Sequence, residues 1–311
     1  MKQMKNKIFS LAAAAAMIFL PLLAIEGQAK ESLRISGWTR PFNLPVMIEL
    51  ADGSYERSFG EFDVSVIDMQ SGPNLMAAME AGEVDIVQGI GDAAFLVAAS
   101  SGVNAKILAV NSRSPKSFAV VSNNPDVKDI SGLKGRSVAG LRGSVVHQVF
   151  VEALAENGMS EADIEFYPMP LANAASTLLA GKCDAALLVG GDITRAVKAG
   201  GTVIADGGGR VRGLSLAVVK TSFLESHPDL PARFAAMREE TLNRIAADRD
   251  GAIKTAAADT KQAPADIEPM MPWYDFNCDV SSDDLDSMEK TKKYLMENKI
   301  MRNDIDISSL F

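Results

Sequence analysis

The stretch Ala139-Gly-Leu-Arg-Gly-Ser-Val-Val-His-Gln-Val-Phe150 holds two glycines, an arginine, a serine and one of the two histidines in the chain. It follows a β-like run. Val146, Val149, Phe150, Ala153 and Leu154 then recur at the three-and-four spacing of one helix face. Ser144 is placed as N-cap or first helical residue, and Gly143 lets the backbone turn sharply into the helix. The first amides of a helix have no internal partner and carry the positive end of its dipole. With the Arg142 charge and the Ser144 hydroxyl at the same mouth, this constellation can hold an oxyanion. The same spacing reads equally as a serine that caps its own helix. It is no phosphate loop, because G-x-x-x-x-G-K-[ST] is absent. His147 reads as an ordinary helix residue rather than the base of a serine nucleophile.

Three other turns carry comparable chemistry. Gly91-Asp92 follows a strand and opens a helix; Asp92 caps it or offers a counter-charge to a ligand cation, and capping is the simpler reading. Trp38 offers an apolar wall and Arg40 a bidentate donor for a carboxylate, sulfonate or phosphate, against the plainer reading of a surface arginine beside a half-buried tryptophan. Asp192, after Gly190-Gly191, caps a helix or meets a ligand amine. Gly207–Gly213 leads into a strand and lacks G-x-G-x-x-G, so it reads as a hairpin-like turn and not a dinucleotide loop. Two histidines and two separated cysteines match no zinc spacing, and Cys183 and Cys278 read as buried thiols rather than a bridge. These residues point to no catalytic set, metal or cofactor.

The elements that must position these turns alternate strand and helix from residue 31 to Thr221, the signature of βαβ units and mostly parallel sheets. Beyond Thr221 the pattern is helical. Two similar apolar strands, Phe118–Val121 and Ala217–Val219, bracket the second set, as in a chain that crosses twice between two α/β lobes. The expected organisation is a leader over 1–29, a first lobe over 30–117, a second over 118–216, and a return to the first lobe over 217–311. Ligands of such folds bind where strand ends and helix N-termini face each other across the crevice. The leader has Lys2, Lys5 and Lys7, an apolar run broken by Pro21, and the small-x-small site Gly27-Gln-Ala29, with no cysteine to take a lipid. Its removal takes the net charge from −9 to −11. An acidic exported protein excludes nucleic acid as partner, because a phosphate-binding surface needs a basic excess.

Leu133-Lys-Gly-Arg-Ser-Val-Ala-Gly-Leu-Arg-Gly-Ser144 resembles the LKGKxV…KGS stretch of ABC-transporter substrate-binding proteins of the aliphatic sulfonate, taurine and nitrate group. Gly72-Pro73, Ala81-Gly-Glu-Val-Asp85, Gly91-Asp92, Gly181-Lys-Cys-Asp-Ala185 and Ser222-Phe-Leu-Glu-Ser-His-Pro-Asp229 match in register over roughly residues 31–235. The resemblance implies a two-lobed type II periplasmic binding protein, monomeric and without catalysis, that serves a permease in the inner membrane. It also implies that Gly91 and Asp92 on one lobe and Gly143 and Ser144 on the other meet a small anion, with Arg142 where the family often has lysine. Two departures stand out. The family's GDxP reads Gly91-Asp-Ala-Ala94, and its WDPY reads Gly190-Gly-Asp-Ile193, without the tryptophan and tyrosine. A pocket for a neutral or cationic heterocycle, with Asp92 or Asp192 as counter-charge, is the rival within the binding class. A sensor partner and a pyrimidine-synthesising enzyme on the same fold are rivals outside it.

Overall fold

The computed structural model of the protein describes residues 30–37, 42–67, 69 and 72–311, so the expected leader and the Trp38–Arg40 turn lie outside the described residues. Two five-stranded sheets organise the chain. The first contains β1 (Ser32–Gly37), β2 (Asp63–Ile67), β3 (Ile86–Gly91), β4 (Ala105–Arg113) and the late strand β10 (Leu214–Lys220), in the order β2-β1-β3-β10-β4. The second contains β5 (Phe118–Ser122), β6 (Ser137–Gly140), β7 (Glu165–Pro168), β8 (Ala185–Val189) and β9 (Thr202–Asp206), in the order β7-β6-β8-β5-β9. Each sheet is parallel except for one strand: β10 runs against β3 and β4, and β5 runs against β8 and β9.

Those two exceptions have one cause. The chain leaves β4 at the C-terminal edge of the first sheet and enters the second at the edge facing it, so β5 must run the opposite way. The return from β9 to β10 repeats this. Gly207–Gly213 is therefore an interlobe crossing and not a hairpin, since β9 and β10 belong to different sheets. The Ser114 amide donates to the carbonyls of Arg212 and Gly213 at 3.0 and 3.2 Å, which laces the two crossings together. A later segment joins them: Asp275 pairs with Arg113 through two backbone bonds of 2.8 and 2.9 Å.

Helices cover the sheets. In the first lobe these are α1 (Leu44–Ala51), α2 (Ser54–Ser58), α3 (Gly72–Glu80) and α4 (Asp92–Ser100). The second lobe carries α5 (Val145–Glu156), α6 (Leu171–Leu179) and α7 (Gly191–Lys198). The tail folds as α8 (Thr221–Ser226), α9 (Leu230–Ala247), α10 (Arg249–Thr260), α11 (Pro264–Ile267) and α12 (Ser282–Glu297). Strands buried on both faces read as continuous apolar runs, as in Ala185–Val189.

Helix α5 carries two apolar faces. Val146, Phe150, Ala153 and Leu154 pack into the second lobe with Val120, Val138 and Leu187. Val145 and Val149 instead join the core of the first lobe, beside Met288, Tyr294 and Leu295 of α12. The lobes are thus joined by packing through α12 as well as by the crossings, and each fully buried valine contributes on the order of 1.5–3 kcal/mol. Both cysteines are free; Cys183 is buried, which pushes its thiol up to about 11, and Cys278 is half-buried.

A crevice between helix N-termini

Helix α5 opens at the C-terminal end of β6. Gly143 adopts φ +74°, a conformation that favours glycine. Ser144 is the N-cap: its hydroxyl donates to the Leu141 carbonyl at 2.7 Å and accepts from the His147 amide at 3.3 Å. The hydroxyl is therefore occupied. The amides of Ser144, Val145 and Val146 find no hydrogen-bond acceptor among the described residues, and the first turn carries no acidic residue. Three consecutive free amides at an uncompensated positive helix end form an anion seat.

The neighbours of that seat differ from the simplest reading. Arg142 is half-exposed; its guanidinium pairs with Glu161 at 2.9 Å and lies 4.7 Å from the centre of the Phe166 ring, so its charge is already matched. His147 is buried, and burial lowers its pKa against the opposing pull of Glu161. In the neutral ring, Nε2–H donates to Glu161 at 3.0 Å, which leaves Nδ1 to accept from the Tyr294 hydroxyl of α12. His147 is no bystander. It joins the lobes.

Helix α4 begins at the end of β3, with Gly91 as N-cap and Asp92 as first residue. A side chain at Gly91 would point into open space, with nothing within 4 Å of its Cβ. Asp92 turns inward instead: it is 2 % exposed, accepts from the Ala93 amide at 2.9 Å and from the Thr291 hydroxyl of α12 at 3.2 Å. Burial pushes its carboxyl up to about 6. Thr291 and Tyr294 are three apart on one face of α12, so this helix holds the first turns of α4 and α5 within one turn of itself. The two N-termini named from sequence are brought together by a residue pair that sequence spacing does not reveal.

Helix α7 supplies a third N-terminus. Its N-cap is Gly190 at φ 53° and ψ −127°, and Asp192 pairs with Arg195 at 3.0 Å. The Gly190 amide donates to the Ser117 carbonyl at 2.9 Å, which seats this helix end on the hinge. A Cβ on Gly191 would lie only 2.5 Å from the Gln262 amide, which reaches in from the α10–α11 connection. Two aromatic residues from the tail pack near this helix end. Trp273 packs against both the α7 core and the α1–α10 core, and Tyr274 lies against Phe42 with ring centres 5.1 Å apart.

Along the same edges, polar residues terminate apolar strands. Gly91, Ser215 and Ser112 are direct register partners across β3, β10 and β4, and Gln88 pairs with Gly37 and Ala217. The Ser215 hydroxyl and both amide atoms of Gln88 are buried without a partner. The sequence carried that signal, a polar residue closing each of several apolar strands, yet only the register aligns them. A groove of about 590 Å³ runs along the hinge past Arg113, Arg210, Arg212, Trp273 and Tyr274. Its three arginines are matched, Arg113 and Arg212 to Asp284 and Arg210 to Glu156. Among the described residues no group of histidine, cysteine and carboxylate side chains could hold a metal, and no helix is long and apolar enough to cross a membrane.

Known proteins share this architecture. The chain is 25% identical over 175 residues to a putative aliphatic sulfonates-binding protein of Escherichia coli (strain K12), a match spanning 56% of this chain and 54% of the relative's length. The fold superposes on the periplasmic aliphatic sulphonate binding protein SsuA from Escherichia coli with a TM-score of 0.83 and 20% identity, over 90% of this chain and 92% of that one. It also superposes on the alkanesulfonate-binding protein SsuA from Xanthomonas axonopodis pv. citri bound to MOPS, with a TM-score of 0.77, 20% identity and coverage of 90% and 97%. The two-lobed type II periplasmic-binding-protein fold expected from the sequence is therefore the fold observed. A family model described as NMT1/THI5 like matches residues 61–252, more than half of the sequence, and the chain belongs to that family.

Proposed function

We propose that the protein is the solute-binding component of an ABC importer, and that it captures a small anionic nutrient, a sulfonate, in the crevice between its lobes. The observation that carries this reading is the run of free amides at Ser144, Val145 and Val146 on a helix end without a carboxylate. The relatives named above, described as sulfonate-binding proteins, support it. In this reading Gly143 turns the chain, its own amide directed at His147 Nδ1 at 3.5 Å, and Ser144 with the two amides after it holds the anion from the second lobe. Gly91 and the opening amides of α4, including that of Asp92, meet it from the first. Trp38 and Arg40 follow β1 in the chain and complete the first-lobe set, and Asp192 flanks the far end of the crevice. A ligand touching both lobes stabilises the closed form by its extra contacts there, and the closed form docks on the permease. Charge-assisted bonds in a water-poor crevice favour capture of a dilute solute. The protein acts in the periplasm, as a monomer.

A thermal-shift panel tests the ligand class. Taurine, isethionate, alkanesulfonates and nitrate are expected to include at least one compound that raises the melting temperature in a dose-dependent way. Silence across them, with a shift for a cationic or neutral heterocycle, would overturn the anion reading. The Asp92 carboxyl is buried on Thr291 and does not favour a cation there.

Arg142 separates two ways of holding the anion. Because Glu161 already matches its charge, Arg142→Ala is expected to weaken sulfonate binding by no more than about fivefold in calorimetry, the range of a solvent-exposed pair. A loss of a hundredfold or more would mean that the guanidinium leaves Glu161 to clamp the ligand.

A further inference from the structure

Buried polar atoms gather near the N-terminus of α7. Ser117 Oγ, Thr194 Oγ1, Gln262 Oε1 and the Tyr274 hydroxyl are all buried without a hydrogen-bond partner. They come from four separate segments. Ser117 ends the outward crossing and binds Gly190 through its carbonyl. Thr194 lies one turn along α7 from Gly190. Gln262 comes from the tail of the first lobe and covers Gly191. Tyr274 faces Ser117 near enough for that hydroxyl to moderate its pKa, which burial pushes well above the usual range.

More than 90% of buried polar groups in folded proteins are paired, and each unpaired one costs about 1–3 kcal/mol. Four near a single helix end, two of them the facing hydroxyls of Ser117 and Tyr274, carry hydrogen-bonding capacity in excess of what the protein uses. Their chemistry is uniform: three hydroxyls that donate and accept, and one amide oxygen that accepts. All four are neutral. Asp192, the one carboxylate in the first turn of α7, is engaged by Arg195 at 3.0 Å and offsets this helix dipole, so the seat suits neither an ammonium nor a second anion.

We propose that the ligand has two different ends: an anionic head held at the mouths of α4 and α5, and a neutral hydrogen-bonding group, a hydroxyl or amide, held by Ser117, Thr194, Gln262 and Tyr274. This rests on the anion reading above and narrows it from sulfonates in general to those with a neutral polar end. An alkyl chain reaching this seat offers none of these atoms a partner, and a site built to bind a hydroxyl discriminates strongly against the analogue that lacks it. Gln262 occupies the space above Gly191, beside Gly190, where the related pattern places a tryptophan. In the absence of that ring, the amide selects polarity.

Calorimetry on the whole protein with matched pairs of equal length tests this: isethionate against propanesulfonate, 3-hydroxypropanesulfonate against butanesulfonate, and 4-hydroxybutanesulfonate against pentanesulfonate. At the length that fits, the hydroxylated member is expected to bind at least tenfold more tightly. Tyr274→Phe removes one hydroxyl without changing shape and is expected to shrink that preference several-fold, read as the ratio of the two affinities within each pair. Gln262→Leu should do the same, with melting curves verifying that both variants fold. Alkyl members that bind as tightly as hydroxylated ones in every pair overturn this inference and leave the anion reading standing. A preference unmoved by both variants overturns the assignment to these residues. Silence from all six compounds overturns this inference, and the thermal-shift panel with taurine and nitrate then decides the anion reading.

Discussion

Gly91→Leu is expected to weaken binding of the best sulfonate more than a hundredfold while leaving the fold almost intact. The N-cap backbone of α4, at φ −69° and ψ 145°, suits any residue, and a Cβ there meets nothing within 4 Å. Loss of a favoured N-cap type costs about 1 kcal/mol, a shift of roughly 2–4 °C in a chain of this size. Binding responds very differently, because the new side chain fills the crevice in front of the α4 amides. A hundredfold loss corresponds to about 2.7 kcal/mol. Calorimetry and a melting curve on the same preparation separate the two effects. Normal affinity in a well-folded Gly91→Leu protein would place the ligand elsewhere, with the hinge groove as the next candidate.

The largest stability effect is expected at Glu49. Arg238 of α9 and Glu49 of α1 are both fully buried, joined at 2.6 and 3.2 Å, with the Tyr55 hydroxyl donating to Glu49 at 2.9 Å and Arg238 donating to Asn111 at 3.0 Å. Burial opposes the Arg238 charge, and the Glu49 carboxylate outweighs it, so the arginine pKa rises. Glu49→Leu strands that charge in the core, which costs about 3–5 kcal/mol. A urea melt should register this as a lower midpoint. Adding Arg238→Met should recover most of the loss, since a buried ion pair replaced by apolar groups of similar volume is often neutral. A single variant as stable as wild type would mean that water reaches the pair.

The strands, their alternation with helices and the two crossings are legible in the sequence because each rests on local pattern. Leu33–Gly37 alternates, the apolar run Ala185–Val189 marks a strand covered on both faces, and Gly158 at φ +68° closes α5 where Asn157-Gly158 forecasts a cap. The position of each helix mouth is also legible, as at Gly91 and Ser144. What each side chain does there is not. Asp92 reads as a cap, but Gly91 takes that role and Asp92 turns to Thr291, a partner 199 positions away. Arg142 reads as a ligand donor, but Glu161 holds it. His147 reads as idle, yet it meets Tyr294 across the lobes. Tyr274 and Gln262 carry no signal in their own neighbourhoods, because their roles depend on a tail that folds back to the hinge. Local spacing sets the mouths; distant chain sets their chemistry.

A crystal structure of the protein with bound isethionate tests the central claim most directly. Sulfonate oxygens are expected within hydrogen-bond distance of the Ser144, Val145 and Val146 amides, with the opening turn of α4 on the other side. Isethionate bound with its sulfonate in the hinge groove, or on Arg142 with the α5 amides left free, would contradict it.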